Sequence, residues 1–309
     1  MTLPARARVI DVGPRDGFQM ERQRLPLELK IETIDRLAAS GVDAVEAVSF
    51  VHPKVIPQMA DAAEVMAGIS RRQGVDYLAL VPNLKGAERA LAAGVDGLRL
   101  VVCCTETYNQ RNVGLSIAES LTLFGEIVRL AEPSGVPVSA VLSVAFGCPF
   151  EGDVPQERVI EMARAFLDAG SVELGVADSA GLAHPLQVRE LLRRLEPVLG
   201  ETEIWLHLHD TRGLGLANAF AALEEGVRSF DCSLGGLGGC PVMRGASGNI
   251  STEDFCYLCS EVGVETRVDL GGVRAASRRL EEFLERHLPS RVLAAGTRDE
   301  LVERNRPGG

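Results

Sequence analysis

The chain has 309 residues, 46% of them hydrophobic, and a formal net charge of −11. That length supports a core the size of one large α/β domain. The negative balance argues against nucleic acid or an anionic membrane surface as a partner, so neither is expected. No apolar segment is long enough to act as a signal or to span a bilayer, which makes the cytoplasm the expected location. The seven cysteines are irregularly spaced and read as reduced, mostly buried small hydrophobes, the Cys256/Cys259 pair included.

Short β-rich segments alternate with longer amphipathic ones eight times. Strands are predicted at Val9–Gly13, Ala44–Phe50, Tyr77–Val81, Leu98–Cys103, Val138–Val144, Val172–Ala177, Ile204–His209 and Ser229–Leu234. They are almost continuously apolar, as parallel strands covered on both faces are. Helical patterns lie between them at Leu27–Ala39, Leu84–Ala93, Ser116–Leu130, Glu157–Ala169, Pro185–Leu195 and Leu216–Glu225. Several stop at glycine, namely Gly41, Gly94, Gly170 and Gly226. Eight β/α units predict an α/β fold, a (β/α)8 TIM barrel.

A doubly wound sheet is the alternative. Gly213-Leu-Gly215-Leu-Ala-Asn218 follows a strand, opens a helix and precedes Asp231, as a dinucleotide fingerprint would. It lacks the third glycine and stands seventh rather than first. The chain is expected to form one domain over residues 1–309. The barrel would occupy residues 8–250, including a loop around Cys240, with further helices and tail over 251–309. Those helices are predicted at Thr252–Val262 and Val273–Leu288, and the polar tail from Arg298 is expected to fray.

In such a barrel the active site lies at the C-terminal ends of the strands, and polar residues of interest fall there repeatedly. The first strand runs into Gly13-Pro14-Arg15-Asp16-Gly17 and the second carries Glu46 and Ser49. The fourth leads to Thr105-Glu106 and Asn112, the sixth to Asp178-Ser179, the seventh to His207-Leu208-His209 and the eighth to Gly236-Leu-Gly-Gly-Cys240. His207 and His209 are two apart on a strand, so both face the barrel interior and can share a metal, with Leu206 and Leu208 facing the helices. Asp16 and Asn249 would add oxygen ligands. Two nitrogens, two oxygens and open water positions suit a six-coordinate divalent ion, Mg²⁺ or Mn²⁺. Arg15 and Asp16 diverge unless the turn folds them together. Arg15 can hold a carbonyl or developing enolate oxygen. Glu46, with the parity of Ala44 and Val48, is expected to pair with Arg15 and orient it. Cys240 sits among glycines, on a loop expected to close over the site.

Val12-Gly13-Pro14-Arg15-Asp16-Gly17-Phe18-Gln19, Val45-Glu46-Ala47-Val48-Ser49-Phe50-Val51, Pro57-Gln58-Met59, Gly147-Cys148-Pro149-Phe150-Glu151-Gly152 and the stretch from Gly236 to Asn249 together resemble the 3-hydroxy-3-methylglutaryl-CoA lyase family, over roughly residues 8 to 290. The resemblance implies a metal-dependent TIM barrel that splits a 3-hydroxyacyl-CoA into acetyl-CoA and a keto acid. Coenzyme A would then enter as part of an acyl-CoA substrate, and a homodimer is allowed. It places the metal on Asp16, His207, His209 and Asn249, and enolate stabilisation on Arg15 with Glu46 in support. Proton transfer falls to Cys240 and to the neighbourhood of Asp178 and His207. Gln19, Ser49, Asn112 and Ser179 join Arg15 as substrate contacts. Val242 and Arg244 stand where the family usually has an aromatic and a small or neutral residue, and the strand around Val141 lacks an expected tyrosine. These departures leave a related 3-hydroxyacyl-CoA, or a condensing reaction of the same superfamily, as alternatives.

Overall fold

The structure, a computed structural model, describes residues 3–239 and 248–306. Eight parallel strands close in sequential order, β1 pairing with β8. The strands are β1 (Arg8–Asp11), β2 (Ala44–Ser49), β3 (Asp76–Leu80), β4 (Gly97–Cys103), β5 (Val138–Ser143), β6 (Leu174–Asp178), β7 (Ile204–Leu208) and β8 (Ser229–Cys232). Around them run α1 (Leu27–Ala39), α2 (Ala62–Gly68), α3 (Leu84–Ala92), α4 (Glu106–Asn112), α5 (Ile117–Ala131), α6 (Gln156–Asp168), α7 (Pro185–Leu199) and α8 (Gly215–Glu224). The chain then adds α9 (Thr252–Glu261), α10 (Leu270–Leu284), α11 (Arg291–Ala295) and α12 (Arg298–Arg304). No described helix is long and apolar enough to cross a membrane.

The barrel prediction holds and the doubly wound alternative falls. Gly213-Leu-Gly215 opens α8, but Asp231, which would have held a ribose, lies inside the barrel against Arg99. The predicted helix stops also hold: Gly41, Gly94, Gly170 and Gly226 take φ of 82°, 72°, 101° and 86°, the left-handed region that glycine enters without a Cβ clash.

Strand alternation divides the apolar residues into two cores. Val9, Val45, Leu98, Leu206, Leu208 and Phe230 face the helix ring, whereas Ile10, Val12, Ala44, Val141, Ala177 and Trp205 fill the barrel interior. One expectation of parity fails. The β2–β3 register shifts between Glu46 and Val48, so Val48 joins the outer core although Ala44 lies in the inner one. A bulge inserts one residue and reverses the facing of everything after it.

Other differences lie at element ends. The first strand stops at Asp11 because Gly13–Gly17 winds into a π-helical turn. Val172 is half-exposed and β6 starts two residues later. Helix α7 runs on to Leu199 with Pro197 inside it. The short helices α2, α4 and α11 were not anticipated. The tail expected to fray from Arg298 instead begins with α12. The Thr297 hydroxyl accepts from the Glu300 backbone N–H, and the Glu300 carboxylate accepts from that of Thr297.

The added helices are tied to the segment that follows β8. Glu253 of α9 is fully buried, and its carboxylate accepts the Gly235 N–H at 2.9 Å and the Ser277 hydroxyl of α10. On the neighbouring turn, Thr252 donates its hydroxyl to Asp11 at 2.6 Å. Burial pushes the Glu253 pKa up to about 7, against the lowering effect of those two donors. The folded chain therefore keeps a proton that the unfolded chain sheds near pH 4.5. Stability from this group is complete below pH 4.5 and is lost as pH rises to about 7. In urea titrations from pH 4.5 to 8, Glu253→Gln should flatten this decline, by up to ~3 kcal/mol across the range; parallel curves for both proteins would contradict it.

Candidate metal and acyl-CoA site

Interior positions near the C-terminal rim of the barrel carry an unusual density of charge. Arg15, Asp16, Glu46, Arg99, His207 and Asp231 are all buried. Unpaired, each would carry a large desolvation penalty, so the pairing pattern decides whether the site can exist.

The turn after β1 solves the problem of adjacent Arg15 and Asp16. The Asp16 and Arg15 N–H groups both return to the Val12 carbonyl, at 2.7 and 3.1 Å. This winding folds the two side chains together, with Arg15 Nη1 donating to Asp16 Oδ1 at 2.7 Å. Arg15 Nε donates to Glu46 Oε1, the pairing expected from sequence. Its Nη2 has no protein partner among the described residues. Gln19 Nε2 donates to Asp16 Oδ1 at 2.8 Å, so Gln19 braces the carboxylate.

Asp16, His207 and His209 offer ligand atoms that all lie within 4.8 Å of one another. The two imidazoles turn Nε2 toward Nε2 at 3.1 Å. Asn249 is brought in because residues 248–250 lie along the end of β7, through Asp210 N–H to the Gly248 carbonyl at 2.9 Å and Ile250 N–H to the Leu208 carbonyl at 3.0 Å. Its Nδ2 donates to Asp16 Oδ2 at 2.8 Å and to the Leu237 carbonyl at 3.0 Å. The buried Asn249 Oδ1 has no hydrogen-bond partner among the described residues. An orphaned amide oxygen, a carboxylate and two facing imidazole nitrogens form a donor set that a hard divalent cation satisfies. The four predicted ligands are therefore together. Gly238 borders them with φ of 132°, and a Cβ there would sit 2.4 Å from Asn249 Nδ2.

The charges tune one another. Burial alone would raise the Asp16 pKa, but Arg15 and the two histidines outweigh it and hold the carboxylate below its ordinary range. Burial would lower the His207 pKa, but the hydrogen bond and charge of Asp231 lift it above the ordinary value. His209 has only Asp16, 4.0 Å from its Nε2, to raise it. Burial and the neighbouring His207 depress it to about 4, so it stays neutral and ready to ligate.

The remaining predicted residues take varied places. Asp178 is buried and its pKa is raised by burial, yet Oδ1 and Oδ2 already accept the Leu182 and Ala183 N–H groups at 2.9 and 3.0 Å. It thus anchors the β6–α7 loop as well as edging the site. Ser179 and Ser143 hydroxyls meet at 2.8 Å. Ser49 is fully buried at the end of β2, its hydroxyl without a partner among the described residues. Asn112 ends α4 on the surface, its Nδ2 3.8 Å from Cys103 Sγ. Cys240, Val242 and Arg244 lie outside the described residues. Cys256 and Cys259 are buried free thiols in α9, as expected.

Arg99 carries no role in the sequence reading, and Asp231 enters it only as a ribose contact in the doubly wound alternative. Asp231 Oδ2 is 3.0 Å from His207 Nδ1, and Arg99 bridges Asp231 to Glu46. Both are charged residues inside apolar strands, the signal that singled out Glu46.

The HMGL-like family model matches residues 6–280. The hydroxymethylglutaryl-CoA lyase YngG of Bacillus subtilis is 42% identical over 293 residues, which is 95% of this chain and 98% of that protein. A Pseudomonas aeruginosa 3-hydroxy-3-isohexenylglutaryl-CoA/hydroxy-methylglutaryl-CoA lyase is 40% identical, covering 96% of this chain and 98% of its own. An HMG-CoA lyase from Acinetobacter baumannii, solved with coenzyme A and 3-methylmalate, superposes with a TM-score of 0.92 at 40% identity, over 96% of this chain and 98% of that one.

If the donor set binds a cation, Mn²⁺ should raise the melting temperature of the wild-type protein, since a ligand of the native state stabilises it by mass action. The rise should disappear in His207→Ala and Asn249→Ala. An undiminished rise in either variant would remove that residue from the site.

Proposed function

Since the chain belongs to the HMGL-like family of 3-hydroxy-3-methylglutaryl-CoA lyases, we propose that it cleaves 3-hydroxy-3-methylglutaryl-CoA to acetyl-CoA and acetoacetate, with Mg²⁺ or Mn²⁺ held by Asp16, His207, His209 and Asn249. The observation that carries this reading is Arg15, fixed by Glu46 and by the cluster residue Asp16, with no partner on its Nη2 among the described residues. The relatives' activities agree with it.

The reaction needs a proton removed from the tertiary hydroxyl, a broken carbon–carbon bond, and a thioester enolate that is finally protonated on carbon. A bound dication supplies polarisation of substrate oxygens and lowers the hydroxyl pKa. Arg15 holds the thioester oxygen as negative charge grows on it, preorganised because Nε and Nη1 are already committed. The proton of the hydroxyl is assigned to the Asp178/His207 edge, with the Asp178 carboxylate as acceptor, since His207, with Nδ1 on Asp231 and Nε2 toward the ligand cluster, has no lone pair left to take it. Asp178 suits this only through lone pairs that its loop N–H bonds leave free. Cys240 is assigned the proton for the enolate carbon. Gln19, Ser49, Asn112 and Ser179 are assigned to substrate positioning.

A second reading, a substrate with a longer 3-alkyl branch, is favoured by Val141. This buried interior side chain stands where a bulkier residue was expected, and the Pseudomonas relative is named for both kinds of substrate. Acetyl-CoA release from a panel of 3-hydroxyacyl-CoAs, with and without Mg²⁺, tests both. Metal-dependent release is expected from 3-hydroxy-3-methylglutaryl-CoA, and no release from any member would sink the lyase assignment. Cys240→Ser should lower kcat by about 10²–10⁴ while leaving the Mn²⁺ affinity intact. Normal turnover in that variant would remove the thiol as proton donor.

A further inference from the structure

We infer that Arg99, on β4 inside the barrel, is a positioning residue that sets the metal-ligating His207 and the substrate-binding Arg15 from a single guanidinium. The inference deepens the lyase reading and rests on it for turnover, whereas its metal-binding consequence holds whichever acyl-CoA is cleaved.

Arg99 Nη1 donates to Glu46 Oε2 at 2.9 Å and to Asp231 Oδ1 and Oδ2 at 3.0 and 3.1 Å. Each carboxylate then holds one working residue. Glu46 Oε1 takes Arg15 Nε, and Asp231 Oδ2 faces His207 Nδ1 at 3.0 Å. A proton on Nδ1, donated to Asp231, leaves Nε2 with its lone pair toward the ligand cluster, the tautomer a metal requires. Without Arg99, Glu46 and Asp231 would be like charges sharing one dry interior. Their mutual repulsion would loosen both contacts.

The surroundings are built around this guanidinium. Its centre lies 4.3 Å from the centroid of the Trp205 ring, and Trp205 Nε1 donates to Asp231 Oδ2 at 3.0 Å. Trp205 therefore both stacks on the arginine and fixes the carboxylate. Gly175 on β6 makes room for it, since a Cβ there would meet the indole at 2.5 Å. All three bonds leave Nη1, so a lysine could keep the charge and some of the contacts, but it would lose the stacking on Trp205 that holds the charge between the two carboxylates.

The test uses full-length Arg99→Lys and Arg99→Met, with Mn²⁺ affinity by calorimetry, the ¹⁵N imidazole resonances of His207, and kcat and KM for acetyl-CoA release. Removing an outer partner of a metal site typically costs 10–100-fold in affinity or activity, so about that loss is expected in both Mn²⁺ affinity and kcat for Arg99→Met. KM should change little, the His207 Nδ1 resonance should move, and Arg99→Lys should fall between that variant and the wild type. Lowered stability with wild-type Mn²⁺ affinity, His207 resonances and kcat would make Arg99 a mere filler of the barrel and overturn the proposal. If Arg99→Met does not fold, Arg99→Lys decides: wild-type Mn²⁺ affinity together with wild-type kcat refutes the role. Normal Mn²⁺ binding in the wild type with no acyl-CoA cleaved would instead refute the lyase reading.

Discussion

The site depends on alternating charge in a space that excludes water. From Arg15 to Glu46, Arg99, Asp231 and His207, each cation is followed by an anion or an acceptor within hydrogen-bond reach. Asp16 closes the series from the other side of Arg15. Three carboxylates face two guanidiniums, which leaves one negative charge beside two imidazoles. That excess attracts a cation where it would not attract a neutral ligand, and the mixed imidazole and oxygen donors suit a divalent one.

The barrel makes this arrangement affordable by separating its two cores. Packing energy comes mainly from the outer layer, where Val, Leu and Ile of the strands meet the helices. The interior core is small, and Ile10, Val12, Ala44, Val141, Ala177 and Trp205 leave its upper part to charged groups. The helices after the eighth strand serve the same end. Glu253, Ser277 and Thr252 tie α9 and α10 to Gly235 and Asp11, fixing the base of the segment that leads towards Cys240.

Much of the fold was legible because parallel strands and helix stops have strong local signals. The eight apolar segments and Gly41, Gly94, Gly170 and Gly226 needed no tertiary context. His207 and His209 were legible through two-residue alternation, Asp16 and Arg15 through their place at a strand end, and Asn249 through the Gly/Ser-rich turn nine residues after Cys240. Illegible were features that depend on partners far away. The bulge after Glu46 reversed Val48 through register with β3. The π-helical turn that joins Arg15 to Asp16 forms from backbone hydrogen bonds that composition does not announce. Arg99 and Asp231 carried the alternation signal but are 132 residues apart, and only barrel closure shows that they share one interior. The capping box at Thr297 and Glu300 was readable, but the polarity of the tail outweighed it.

Asp16, His207, His209 and Asn249 are proposed to share one cation, through two imidazoles and two oxygen-bearing side chains. X-ray absorption at the manganese edge of the Mn²⁺-loaded protein tests it most directly. One ion per chain is expected, with a six-coordinate shell containing two imidazole nitrogens and the remainder oxygen, and loss of one imidazole in His209→Ala. A shell made of oxygen alone, unchanged by that substitution, would contradict it.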